Sequence, residues 1–378
     1  MPDLCGAFLH DIDLAIELLK HGHQIVFLTI KVPKEGMNGG YYRGFRYMNY
    51  TAGSSFLDSS DIWICPHAPI LPEVRRINSR GYNRPIVATC HYDGNYTMIT
   101  RNATLQTGPE MLFFINKIME ANYRKNISPW PQIIKRTETI RPIMHRDKIT
   151  IQEPFRGEYI TLVNANQNKG VHVFLDLAKR MPDRKFLGVL PYYGELKVPL
   201  ATPNVDWVPF DDDIRNILKK TRILLFSSYY ESFGRIAVEA MVNKIPVLYS
   251  KPTKKSVYPG GSTEGLEEWI SPAGISCERE VPDEWMSAIH SLDDEATYLA
   301  RGELSKQHIE AMDLFTEANR IASFVESFAR EHPAPIRSSA PQSQPQSKGR
   351  DGMPPPLREP PPGAAGFGFS NGRLKIRR

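Results

Sequence analysis

Residues 222–250 read R-I-L-L-F-S-S-Y-Y-E-S-F-G-R-I-A-V-E-A-M-V-N-K-I-P-V-L-Y-S, and this stretch leaves the chain few folds to choose from. Residues 222–226 are short, apolar and followed by serines, the pattern of a parallel strand buried on both faces. Residues 234–242 carry helical spacing, with Ile236, Ala240 and Met241 on one side, and 245–249 read as the next strand. Strand, loop, helix and strand make a βαβ crossover. Ligands of open α/β sheets bind beyond the carboxyl ends of the strands, which is where loop 227–233 falls. The helix behind it turns free N–H groups and a positive dipole end toward that loop, which favours an anion such as a diphosphate. Glu231 and Glu239 stand eight residues apart, roughly 12 Å at 1.5 Å rise per residue, so they can meet two parts of one ligand. Taken singly, Glu231 is a helix cap and Glu239 a solvated side chain. The apolar neighbours of Glu239 argue against the second of these.

The segment Glu231-Ser-Phe-Gly-Arg-Ile-Ala-Val-Glu239 resembles the E-x7-E motif of the retaining, nucleotide-sugar-dependent glycosyltransferases of family four, glycosyl transferases group 1. The resemblance runs from Asp3 to about Phe328 and is strongest between about Tyr159 and Ser250. It implies the GT-B fold, an α/β architecture of two Rossmann-like doubly wound domains facing across a cleft. It also implies a donor site with no cofactor and no metal, where a helix end and basic side chains hold the diphosphate.

The expected organisation is an acceptor domain over 1–145, a linker over 146–157, a donor domain over 158–302, and a terminal helix over 303–331 that packs back on the first domain. A chain of 378 residues is long enough for this. Eight basic against two acidic side chains lie beyond residue 331, a surplus of six, which leaves the rest at −1 of the total +5. The body therefore gives no electrostatic sign of nucleic-acid binding. The tail over 332–378 is rich in Pro, Ser, Gln and Gly, cannot bury enough apolar surface to fold, and is expected to be disordered. No run approaches the ~18 apolar residues of a membrane span. Cys5, Cys65, Cys90 and Cys277 show no metal-ligand spacing, so the expectation is reduced thiols in a cytoplasmic protein. The sequons at Asn49, Asn95, Asn102 and Asn126 are taken as chance.

In the first half, residues 7–21 read as an amphipathic helix ended by Gly22, and 24–30 as the strand after it. Residues 62–64 and 86–88 read as later strands. Gly6 matches the family's glycine loop. Family members place a strand ahead of that loop, in mid-sheet. Here five residues precede Gly6, so either translation begins upstream of Met1 or the sheet order is abnormal. His91 follows the strand over 85–89, and in the resembled family a histidine there bonds the donor sugar near the reacting carbon. His10, His21 and His23 are read as surface residues.

In the second half, 159–163 is the first strand, and 164–170 the loop ahead of a helix. Lys169, beside Gly170 at that helix start, resembles the lysine that neutralises the donor diphosphate. The family's accompanying arginine falls on Asn164, so Arg235 is the candidate second cation. Strands over 185–190, 205–209 and 222–227 continue the series. In relatives the loop after the second of these touches the nucleobase, here at Val208 and Pro209. Asp211, Asp212 and Asp213 read as a helix cap and acidic first turn, not a metal site.

The implied activity is transfer of a hexose from a UDP- or GDP-sugar. Lys169 and the amides of Ser232, Phe233 and Gly234 would stabilise the departing diphosphate. Glu239 would hold the ribose, and Glu231 and His91 the sugar. The acceptor stays open among a glycan, a lipid-linked glycan, a protein, a small metabolite and modified DNA. The alternatives are another GT-B enzyme, an epimerase or a phosphorylase, and a non-catalytic nucleotide-sugar-binding protein.

Overall fold

The computed structural model describes residues 6–30, 39–42, 44–65, 70–91, 108–127, 130, 132–191, 202–252 and 263–333. Met1 to Cys5, His67, the sequons at Asn95 and Asn102, and the tail beyond 333 lie outside them. The first half runs α1 (Gly6–Lys20), β1 (Phe27–Thr29), β2 (Gly39–Tyr42), β3 (Phe45–Asn49), α2 (Ser54–Ser59), β4 (Trp63–Cys65), α3 (Leu71–Asn78), β5 (Ile86–Cys90), β6 (Met111–Phe114), α4 (Lys117–Asn126), β7 (Arg136–Thr139) and α5 (Arg146–Ile149). The second half continues with β8 (Tyr159–Leu162), α6 (Val171–Arg180), β9 (Phe186–Val189), β10 (Val205–Val208), α7 (Ile214–Leu218), β11 (Thr221–Phe226), α8 (Arg235–Val242), β12 (Val247–Ser250), α9 (Glu264–Ile270), β13 (Ile275–Cys277), α10 (Pro282–Ser291), α11 (Glu295–Ala311) and α12 (Glu317–Glu331).

The second half holds a six-stranded sheet of order β10-β9-β8-β11-β12-β13, parallel throughout. Its strands are the continuous apolar runs that burial on both faces demands: Leu224, Leu225, Val247 and Leu248 are fully enclosed. The strand order reverses between β8 and β11, and the crevice at such a reversal is where doubly wound sheets receive ligands.

The first half has its sheet in two pieces. One is β1-β3-β2 and the other β4-β5-β6-β7. The hairpin of β2 and β3 is antiparallel, and all other pairings of this half are parallel. The strand expected over 24–30 is shorter, Phe27–Thr29, and pairs with β3. The core of this half lies against β5 and β6, whose nine residues are all buried.

A single apolar cluster crosses from one half to the other, joining Val87 and Phe113 to Val238 and Met241 of α8 and to Ile321 and Phe328 of α12. Helix α11 passes unbroken through residue 302, where a domain boundary was expected. The turn comes at 312–316, after which α12 lies against the first half. There Arg141 N–H donates to Glu317 at 2.7 Å, and Arg320 donates to the Thr139 carbonyl at 3.1 Å.

Helices α1 and α12 are clasped at their ends by Glu326, whose Oε1 lies 2.7 Å from His21 Nδ1 and 3.0 Å from His23 Nε2. The hydrogen bond to Glu326 lifts the His21 pKa above its ordinary value. Bonds from His23 and His21 in turn pull the Glu326 pKa down. A histidine raised in the folded state contributes stability that is complete below its unfolded pKa and is lost as pH rises through the folded one. His10 and His145 shift downward by burial, so the effect is read as a difference. The melting temperature of wild type minus that of His21→Gln is expected to be largest near pH ~5.5 and to close by pH ~8.5. A gap that is flat with pH, followed by scanning calorimetry, would contradict the clasp.

Candidate active site

The site forms at the β8/β11 reversal because two loops are sewn together there. The loop after β8 turns at Asn164, which takes a left-handed backbone (φ 60°), a conformation asparagine tolerates better than most residues. It ends at Gly170, also left-handed (φ 77°), where a Cβ would run into the Ser227 carbonyl of the loop after β11. Ser227 Oγ donates to the carbonyls of Lys169 (3.0 Å) and Gly170 (3.2 Å), and Tyr229 N–H donates to the Asn168 carbonyl at 2.8 Å.

This stitching delivers Lys169 to Glu231. The Lys169 ammonium donates to Glu231 Oε1, the same oxygen that accepts from Ser228 Oγ at 2.9 Å. Glu231 is buried. Lys169 also lies 5.8 Å over the Phe226 ring. Gly234 then opens α8 in the left-handed region (φ 81°), with its vacant Cβ position 2.7 Å from that same ring. The charged pair therefore sits beside a helix start whose first amides have no intrahelical partner.

Arg279 supports the loop from behind. It donates to the Ser228 carbonyl at 2.6 Å and lies 4.0 Å over the Tyr229 ring. Its burial draws its pKa below the ordinary arginine value.

A second cluster faces this one from the first half. His91 follows β5 and meets the His10 ring edge-on at 5.3 Å. His10 is fully buried, a correction to its reading as a surface residue. Its Nδ1 accepts from the Ile143 N–H at 3.0 Å. Burial first, and then His91 and Arg235, hold its pKa well below 6.5, so the ring is neutral. Arg235 donates to the Ile143 carbonyl at 2.5 Å and to Asp13 at 3.3 Å, and its Nε lies 4.0 Å from Glu239. A Cβ on Gly6 would stand 3.4 Å from Arg235. Glu239 is buried, and burial raises its carboxyl pKa.

The expected residues thus fall into two groups. Lys169 and Glu231 touch directly. His91, Gly6, Arg235 and Glu239 gather around His10 and Asp13. Arg235 is engaged across the cleft and is not beside Lys169. Val208 and Pro209 end β10, two strands out from the reversal. The Phe233 ring is interior, stacked on Trp269 at 5.0 Å, and its carbonyl accepts from Trp269 Nε1 at 2.8 Å. Ser232 is bridged to the first half, its carbonyl accepting from Asn116 Nδ2 at 2.6 Å. Asn164 is buried with Oδ1 lacking a hydrogen-bond partner among the described residues. Asp213 caps α7 by accepting from Arg215 N–H at 3.1 Å.

His10, Asp11 and His91 also bring ligand-type atoms within 4.8 Å of one another. They suit a cation poorly. His10 Nδ1 is an acceptor, so its neutral ring carries the proton on Nε2 and has no lone pair to give there.

Comparison with known proteins places this arrangement. Residues 196–257 match the family of glycosyl transferases group 1. A D-inositol 3-phosphate glycosyltransferase of Corynebacterium kroppenstedtii is 28% identical over 123 residues, 32% of this chain and 25% of that protein, so the chain aligns with a quarter of that relative's length. Anabaena HepE, crystallised with UDP and glucose, superposes with a TM-score of 0.62 at 17% identity, covering 85% of this chain and 96% of that one. The sucrose-phosphate synthase of Thermosynechococcus elongatus superposes with 0.60 at 15% identity, covering 85% and 92%. The fold is GT-B. Lys169 and Glu231 belong to the second half and His10, Asp13 and His91 to the first, and Asn116, Arg235 and the apolar cluster tie the two halves together.

His10, Asp13, Asn116 and Arg279 were missed by sequence reasoning. The one available signal was the row His10, Asp13, Glu17 along a single face of α1; His10 was read as a surface residue, and all three are buried.

Asn116 has two separable roles. Its Oδ1 caps α4 by accepting from Met119 N–H at 2.7 Å, while its Nδ2 reaches Ser232. Asn116→Ala is expected to cost ~1–2 kcal/mol in urea unfolding, and Asn116→Asp, which still caps, to recover ~1 kcal/mol of it. Equal losses in the two variants would show that the cap contributes little.

Proposed function

We propose that the protein is a nucleotide-sugar-dependent glycosyltransferase of the hexosyltransferase type, acting with retention and without a metal. The observation that carries this is the Lys169–Glu231 pair at the strand-order reversal, beside the helix start that Gly234 opens. A nucleoside diphosphate is the ligand that such a place suits: an anion for Lys169 and for the free amides of 232–234.

The donor diphosphate takes Lys169 from Glu231. Glu231 is then free to accept hydrogen bonds from sugar hydroxyls. Glu239, inside α8, accepts from the ribose. His91 approaches the sugar from the opposite wall, oriented by the buried His10. When the bond from the anomeric carbon to the diphosphate breaks, charge grows on the leaving group. Lys169 and the helix amides are already in place to stabilise it, the electrostatic form of catalysis. The acceptor oxygen takes the anomeric carbon and passes its proton to the departing diphosphate oxygen. UDP is the preferred nucleotide of the proposal, supported by the UDP-glucose complex of Anabaena HepE. Val208 and Pro209 are the proposed base contacts. The acceptor is left open, and a cytoplasmic site of action is part of the proposal. Among the described residues no helix is long and apolar enough to cross a membrane.

The test is turnover of UDP-glucose in EDTA with a mixed acceptor pool. Glu231→Gln and His91→Ala are each expected to lose at least ~10²-fold in turnover, with circular dichroism unchanged. Near-normal turnover in Glu231→Gln would remove that residue from the site. Epimerised donor with no acceptor present would replace transfer by epimerisation, and dependence on free phosphate would point to a phosphorylase.

A further inference from the structure

Arg279 is a buried cation that no carboxylate answers. It follows the end of β13, reaches the loop after β11 and is 3% exposed. Its Nη2 donates to the Ser228 carbonyl at 2.6 Å and its guanidinium lies 4.0 Å over the Tyr229 ring. Among the described residues it makes no ion pair, and its Nε has no hydrogen-bond partner. The glutamates on either side of it in sequence are engaged elsewhere. Glu280 is exposed and accepts from the Tyr229 hydroxyl at 2.9 Å, and Glu278 lies 3.6 Å from the Lys251 ammonium. Both act on Arg279 from a distance, but burial outweighs them.

A buried charge without a counter-charge costs stability, and the loop does not need the charge to hold its shape. Ser227 Oγ and the Tyr229 N–H already fasten it to the loop after β8. The Tyr229 ring is stacked on His172 at 5.5 Å, and its hydroxyl lies 3.0 Å from His172 Nε2. A neutral carboxamide would also donate to the Ser228 carbonyl. What no neutral side chain supplies at this place is the positive charge.

That charge has a path to the site. The peptide between Ser228 and Tyr229 accepts from Arg279 at its carbonyl and donates at its N–H to the Asn168 carbonyl at 2.8 Å. Hydrogen bonds in such a chain polarise one another. The negative end of this peptide is turned to Arg279 and its positive end to Asn168, the neighbour of Lys169. The side chain of the same Ser228 donates to Glu231. Lys169 is itself paired with Glu231, and Arg235 is shared between the Ile143 carbonyl and Asp13.

We propose that Arg279 is a positioning residue for the anion site: through Ser228 and Tyr229 it sets the two loops that carry Lys169 and Glu231, and it brings an uncompensated positive charge to bear on the diphosphate from beneath them. The part of the ligand it serves is the phosphates, not the base. The inference rests on the nucleotide-sugar reading and extends that site to the segment after β13, two strands from β11.

The test separates charge from support. Arg279→Lys keeps the charge, whereas Arg279→Gln keeps a donor for the Ser228 carbonyl and loses the charge. UDP is titrated by calorimetry and uridine, which has no phosphate, by ligand-observed NMR, both in EDTA. Arg279→Gln is expected to weaken UDP by ~10-fold and to leave uridine within ~2-fold of wild type, while Arg279→Lys binds UDP within ~3-fold of wild type. Arg279→Met, equally uncharged, is run alongside and is expected to give the same split should Arg279→Gln fail to fold. UDP binding to the uncharged variants as to wild type would overturn the proposal. So would a loss of UDP and uridine in equal proportion, which is the mark of mere support, or a loss of UDP in Arg279→Lys as large as in Arg279→Gln. Wild type that binds no UDP would instead remove the nucleotide-sugar reading, and this inference with it.

Discussion

The contact between Lys169 and Glu231 is the one on which the rest of the site depends. Both side chains are largely out of water, and breaking such a pair by removing one partner leaves a charge uncompensated. The surrounding structure is arranged to make the pair unavoidable. Gly170 and Gly234 take backbone conformations that other residues resist, and each does so where a side chain would strike its neighbour. Ser227 fastens one loop to the other, Ser228 fixes the carboxylate, and Arg279 holds the loop from beneath. In the proposed reading a diphosphate takes Lys169 from Glu231 and leaves that carboxylate to the sugar.

The opposite wall is organised around a neutral histidine. His10 is buried against Ile143, and Ile143 is in turn held by Arg235 from the second half. Ile143 thus donates its N–H to His10 of the first half and accepts at its carbonyl from Arg235 of the second. Arg235 also reaches Asp13 and approaches Glu239, so it ties the two halves together. Movement between the halves would act on His91 through His10 and on Glu239 through Arg235, and in the proposed reading this couples cleft closure to both ends of the donor.

The second half was largely legible in the sequence. Its strands are uninterrupted apolar runs, a pattern that parallel burial imposes, and its functional loops carry charged residues between glycines. The first half was less so. Its outer strands are three to five residues long, and the Gly-Gly-Tyr-Tyr of β2 has no alternation to read. His10, Asp13 and Glu17 look like a solvated face of α1, and only the packing of Ile143 and Arg235 against them shows otherwise. Asn116 looked like any loop residue, because its second role depends on Ser232, 116 positions away. A cavity beside α1 and the buried Asp11 oxygen that lacks a hydrogen-bond partner among the described residues were not legible in the sequence.

Titration calorimetry of UDP with wild type, Lys169→Met and Glu231→Gln, in EDTA, tests the central claim most directly. If Glu231 competes with the diphosphate for Lys169, Glu231→Gln binds UDP at least as tightly as wild type, while Lys169→Met weakens binding by at least ~10-fold, the loss of one charge-assisted contact. Lys169→Met binding UDP like wild type, or UDP binding to none of the three until magnesium or manganese is added, would contradict it.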